Sequence, residues 1–172
     1  MNIDNCLITD IKHCELSKII LRVLNCNAFW LMHVDNGLFR ILATDISILE
    51  YYWDKKYYLQ DPNIPSAEYP AQVSPDPSRW KAHLGSDCEM FKKSGFLYDL
   101  YKLFDIEEFV SIEKSIGRES YCFRFFTKNN RFVFMNKLLN NMPFIKFFMD
   151  DMIGQLKIGL RLQSGVPICR PG

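Results

Sequence analysis

The stretch AFWLMHV at 28–34 is apolar and bulky at nearly every position, and it runs into Asp35-Asn36-Gly37 and then LFRIL at 38–42. A strand that is apolar on both faces belongs inside a sheet, covered by helices on at least one side. Asn and Gly both tolerate the positive φ that a tight hairpin turn demands, so the spacing predicts two antiparallel strands joined there. A second pair of strand-like segments, EEFVSIEKSI (107–116) and ESYCFRFFT (119–127), has Gly117 at the turn between them.

Around these pairs the apolar spacing becomes helical. Leu16, Ile19, Ile20, Val23 and Leu24 form one face of an amphipathic helix within 11–24, with Asp10 as its expected N-cap. Thr44-Asp45 offers a cap for a helix over about 46–58, whose YYWDKKYY segment packs five rings into eight residues. Five of the eight prolines fall in 62–77, which excludes regular structure there. Ser86 and Glu89 fit a capping box, opening a helix with Phe96, Leu97, Leu100, Leu103 and Phe104 on one face and Gly95 as a break or kink. RFVFM (131–135) reads as a short strand or a helix entry. Ile145, Phe148, Met149, Met152, Leu156 and Leu160 stripe a last helix over about 142–162, with Pro143 in its first turn, where a missing N–H costs nothing. Strand pairs alternating with helices predict an α+β fold: an antiparallel sheet of about five strands with helices on both faces, an α/β/α sandwich of the PAS-like and GAF-like kind. One domain over 1–162 and a linker or frayed tail over 163–172 complete the expected organisation.

Composition narrows the function. A chain of 172 residues with 48% hydrophobic and 24% charged residues can build one core without a staple of metal or disulfide. Lys plus Arg is 21 against 20 for Asp plus Glu, so no charge excess suits a chain that grips nucleic acid by itself. The N-terminus lacks the basic and apolar pattern of a signal peptide, and no apolar run is long enough to span a membrane. Six cysteines without a C-x-x-C pair read as free thiols in a reducing cytoplasm. Three scattered histidines give no metal motif, and no nucleophile–base signature points to an enzyme. Neither cofactor nor metal is expected. What stands out is the aromatic content: 14 Phe, 8 Tyr and 3 Trp, rings that can fill a core or wall a pocket.

A Trp- and Tyr-rich helix running into Asp61-Pro62, a loop containing Trp80, an aromatic helix, and the strands EEFVSIEKSI and YCFRFFT together resemble the ligand-binding domain of LuxR-type quorum-sensing transcription regulators. The resemblance covers about 10–162. It implies a pocket for an acyl-homoserine lactone between the sheet and a helical layer, with Asp61 accepting a hydrogen bond from the ligand amide and Trp80 as the family's second Trp. The family's first Trp–Tyr pair maps by distance from Asp61 onto Ile48 and Tyr52, and by pattern onto Trp53 and Tyr57. By distance the Trp is lost, and with it the donor to the lactone carbonyl, so a related small molecule also fits. The family's helix-turn-helix DNA-binding domain does not match any part of this chain.

The expected ligand-binding residues are therefore Tyr52, Trp53, Tyr57, Asp61, Trp80, Phe96 and Leu100, with no catalytic or metal-binding residue. The expected function is a cytoplasmic sensing domain for a small amphipathic signal, homodimeric, reaching DNA only through another domain and without a membrane role. The alternative is an interaction or dimerisation module of the same fold that binds no ligand.

Overall fold

The computed structural model describes residues 6–35, 38–62 and 80–162. The Asn36-Gly37 turn, most of the proline-rich segment and the 163–172 tail lie outside the described residues. Six strands, β1 (Cys6–Asp10), β2 (Ala28–Asp35), β3 (Leu38–Ala43), β4 (Lys81–Leu84), β5 (Glu108–Ile116) and β6 (Glu119–Thr127), form one sheet in the order β1-β3-β2-β6-β5-β4. The helices are α1 (Glu15–Leu24), α2 (Ile46–Asp54), α3 (Glu89–Ser94), α4 (Phe96–Phe104), α5 (Arg131–Asn140) and α6 (Met142–Leu162).

The two expected hairpins form and join through β2 and β6, which pair from Ala28↔Phe126 to Val34↔Ser120. This puts the doubly apolar β2 at the centre of the sheet. Strand alternation then divides the side chains. Leu31, Val110, Ile112, Phe123 and Phe125 face α1, α5 and α6. Trp30, Met32, Ile41, Phe109, Cys122 and Phe126 face α2, α3 and α4. The three-layer α+β architecture is as expected.

Several local expectations are corrected. Two short strands, β1 and β4, are added at the sheet edges, and β1 runs parallel to β3 rather than antiparallel. Asp10 belongs to β1 and its carboxylate accepts from the Lys12 N–H, so α1 starts later, after Cys14. The Asp45 cap holds, its carboxylate accepting from Ser47 N–H at 2.9 Å. The helix it opens stops at Asp54, because Lys56 takes a left-handed φ of 58° and a 3-10 turn follows over Tyr57–Gln60. Ser86 and Glu89 make no capping box. The Ser86 N–H and hydroxyl both donate to Glu108 instead, and Glu89 pairs with Lys92. Gly95 breaks the helical run at φ 82°, a conformation open to glycine without strain. Leu103 points outward while Phe96 and Leu100 are buried. RFVFM starts α5.

The long α6 packs on the sheet through Ile145, Phe148, Met149 and Met152 of the expected stripe, with Leu156 partly buried against them. Phe148 sets its ring edge-on to Phe29 at 5.4 Å and lies 6.1 Å from Phe123. Such edge-to-face contacts add to the area already removed from water. Phe148→Ala should cost about 3–5 kcal/mol of stability, read from urea unfolding at constant m-value.

Candidate functional site

The helical layer over Trp30, Phe109 and Phe126 encloses a charge. Arg124 lies on β6 within CFRFF, where its neighbours at 123 and 125 face the other layer and it alone points a guanidinium among rings. It is fully buried, with the rings of Trp30, Phe91 and Phe109 at 5.4, 5.0 and 4.9 Å from its central carbon. Asp61 meets it as a fork on a fork. Nη1 donates to Oδ2 at 2.8 Å and Nη2 to Oδ1 at 3.1 Å. The Tyr52 hydroxyl donates to Oδ2 at 2.6 Å, and Arg124 Nε donates to Ser111 Oγ at 3.0 Å.

Bidentate geometry and delocalised charge suit Arg to this interior role. Burial works against the guanidinium's charge, but Asp61 beside it more than offsets that and raises its pKa. Burial, reinforced by the Asp61 charge, likewise lifts the Tyr52 phenol well above its ordinary value, so it stays a donor.

Tyr52, Phe96 and Leu100 close around this network, at 0%, 0% and 1% exposure. Tyr52 contacts Trp30 and Phe96, each at 5.3 Å between ring centroids. Tyr57 packs on Phe96 at 5.0 Å, and its hydroxyl donates to Asp99, an acceptor it shares with Tyr51. Trp53 turns toward the β3 side, stacked on Tyr58 and leaning on Phe39. Trp80 stands apart from the others. It packs on Phe123, beneath the Lys114 ammonium at 4.9 Å, so the sheet separates it from Asp61. The structure thus gathers Tyr52, Asp61, Phe96 and Leu100, sets Tyr57 and Trp53 at their margin, and places Trp80 on the opposite layer.

Sequence reasoning missed Arg124, Ser111, Phe91, Phe109 and Trp30. The available signal was Arg124 itself, a lone charge in a strand apolar on both faces, which requires a buried counter-charge.

Beside the ion pair lies a cavity of about 520 Å³ lined by Pro62, Leu84, Phe91, Phe109, Ser111 and Met135, among others. It shares Phe91 and Phe109 with the walls around the guanidinium, and Pro62 follows Asp61 directly. Gly85 lets Phe109 lie there: a Cβ on Gly85 would collide with that ring. At the rim His83 Nε2 stands 3.4 Å from Glu113, whose hydrogen bond raises the histidine pKa. Among the described residues no cluster of His, Cys, Asp and Glu could hold a metal ion, and no helix is long and apolar enough to cross a membrane.

The architecture is a three-layer α+β sandwich, and a solved structure shares this fold. The crystal structure of the VqsR LBD domain from Pseudomonas aeruginosa superposes on it with a TM-score of 0.55 at 15% identity, over 81% of this chain and 84% of that one. No protein-family model and no curated protein matches the sequence.

Two tests follow from the geometry. Arg124→Met strands the Asp61 carboxylate in the core and should cost about 3–5 kcal/mol, and adding Asp61→Asn should restore part of that in chemical unfolding. His83 should titrate above an ordinary histidine by NMR, and Glu113→Gln should bring it down. Because the folded value is the higher one, whatever stability the pair adds is present at acid pH and fades as pH rises through the folded pKa.

Proposed function

We propose that this chain is the small-molecule-sensing domain of a LuxR-type transcription regulator, acting without catalysis and reaching DNA through a helix-turn-helix domain. The observation that carries the reading is the cavity beside the Asp61–Arg124 pair. Its volume falls within the range of small-molecule sites, and its walls mix apolar side chains (Leu84, Phe91, Phe109, Met135) with polar ones (His83, Asp87, Ser111, Glu113), as an amphipathic guest requires. The likeness to the VqsR ligand-binding domain supports it at the level of fold.

The expected signal is amphipathic, with an apolar part against Leu84, Phe91 and Phe109. An acyl-homoserine lactone bound through Asp61, as the family resemblance implies, would have to compete with Arg124 and Tyr52, which already donate three hydrogen bonds to that carboxylate. A ligand seated in the cavity instead leaves the ion pair intact and reaches it through Ser111 and the two phenyl rings.

A second reading, an interaction module without ligand, draws on the full burial of Tyr52, Phe96 and Leu100 and on the exposed rings of Phe132 and Phe147, at 76% and 65% exposure. Such rings suit a partner surface, a homodimer included.

Native mass spectrometry of the purified protein decides between them. The sensing reading expects a retained small molecule, lost in Ala82→Trp, which crowds the cavity rim at an exposed position and leaves the unfolding midpoint unchanged. A protein that retains no molecule and binds none from an amphiphile panel, yet sediments as a dimer, overturns the sensing reading in favour of the second.

A further inference from the structure

On the layer that carries α1, α5 and α6, the sheet ends in a polar row. Register sets Arg40, His33, Tyr121 and Lys114 side by side across β3, β2, β6 and β5. The next row inward, Leu42, Leu31, Phe123 and Ile112, is apolar. His33 is 2% exposed and lies flat on Tyr121, with ring centroids 4.6 Å apart and planes 14° off parallel.

Both imidazole nitrogens and the Nε of Arg40 are buried without a hydrogen-bond partner. Among the described residues Arg40 forms no ion pair either, whereas the other cations nearby are engaged. Lys114 meets Asp150 of α6 at 3.2 Å, and Lys157 of α6 meets Glu119 at 3.4 Å. Glu119 also accepts from the Tyr121 hydroxyl, and its nearest approach to His33 Nε2 is 4.0 Å. Burial lowers the His33 pKa. Glu119 and, more weakly, Asp35 oppose this, while Arg40 and Lys157 reinforce it.

A guanidinium carries donors and no acceptor, and a neutral imidazole adds one more N–H. Buried donors left unpaired are costly, the more so when charged. A second cation would be repelled by Arg40 and Lys157, while an oxygen bearing negative charge satisfies both side chains. The neighbouring carboxylates of Glu119 and Asp35 favour a singly charged guest over a highly charged one.

We infer that Arg40 and His33 form a second binding site, for a small oxyanion such as a carboxylate or phosphate, at the sheet margin beside Lys157 of α6. It lies on the layer opposite the aromatic cavity and stands independently of the sensing function. An anion bound there lies beside α6 and is placed to stabilise the packing of its C-terminal half on the sheet.

The test is NMR on the intact chain, following the Arg40 Nε–Hε resonance and the His33 titration while acetate, then phosphate, replaces chloride at constant ionic strength. Saturable movement of the Arg40 signal with a rise in the His33 pKa is expected, for either anion or both. The anion that saturates at lower concentration identifies the ligand class. Arg40→Gln should abolish the response, and Ala82→Trp should leave it unchanged. If acetate and phosphate act no differently from chloride on the wild-type chain, the site does not exist. That result is read without any variant and leaves the cavity untouched.

Discussion

The fork-to-fork contact between Arg124 and Asp61 organises the helical layer around it. Two charges taken out of water are tolerated only when their hydrogen bonds are nearly all met. Here the guanidinium is met by Asp61 and Ser111 and sandwiched by Trp30, Phe91 and Phe109, while Tyr52 completes the carboxylate. The contact ties the end of the segment after α2 to the middle of β6, 63 residues away in sequence. It fixes where Pro62 stands and therefore where the adjacent cavity begins. An apolar pair of the same volume could pack equally well, but it would not specify one geometry so narrowly.

The layers divide the work. On one side, α6 presses Phe148 into a cluster of phenyl rings and seals an apolar core that gives way to polar groups at the Arg40–His33 margin. On the other, α2, α3 and α4 cover a more polar interior in which ring faces serve a cation as well as one another. Aromatic richness, the oddity of this composition, is thus spent mainly on filling and on boxing a charge. A cavity of about 520 Å³ lies next to the boxed charge, at the β4–β5 side.

Much of the architecture was legible because it rests on local pattern. The four long strands, the central place of β2, the break at Gly95 and the extent of α6 all follow from apolar period and turn chemistry. The edge strands β1 and β4 were not legible: each is short, and each is defined by a neighbour far along the chain. The capping box at Ser86 failed because Glu108, 22 residues on, competes for the same hydroxyl. For the site, Asp61 and Tyr52 came from the family resemblance, and their common partner could not be paired to them from sequence, since charge partners across a sheet leave no spacing signal. Trp80 shows the opposite limit. Alternation decides which layer a residue joins, and the register of β4 could not be known without β5.

The sheet has a seam. Its β1–β3 half comes from the first quarter of the chain and its β4–β6 half from the middle, and the two meet only where β2 zips to β6. During synthesis the early hairpin, complete at Ala43, therefore emerges with its most hydrophobic strand bare along one side until β6, which ends at Thr127, has followed. A nascent chain of this design must shelter that open flank for several seconds at ordinary elongation rates. Dependence on a chaperone at the ribosome exit is the expected cost of placing the central strand so near the beginning.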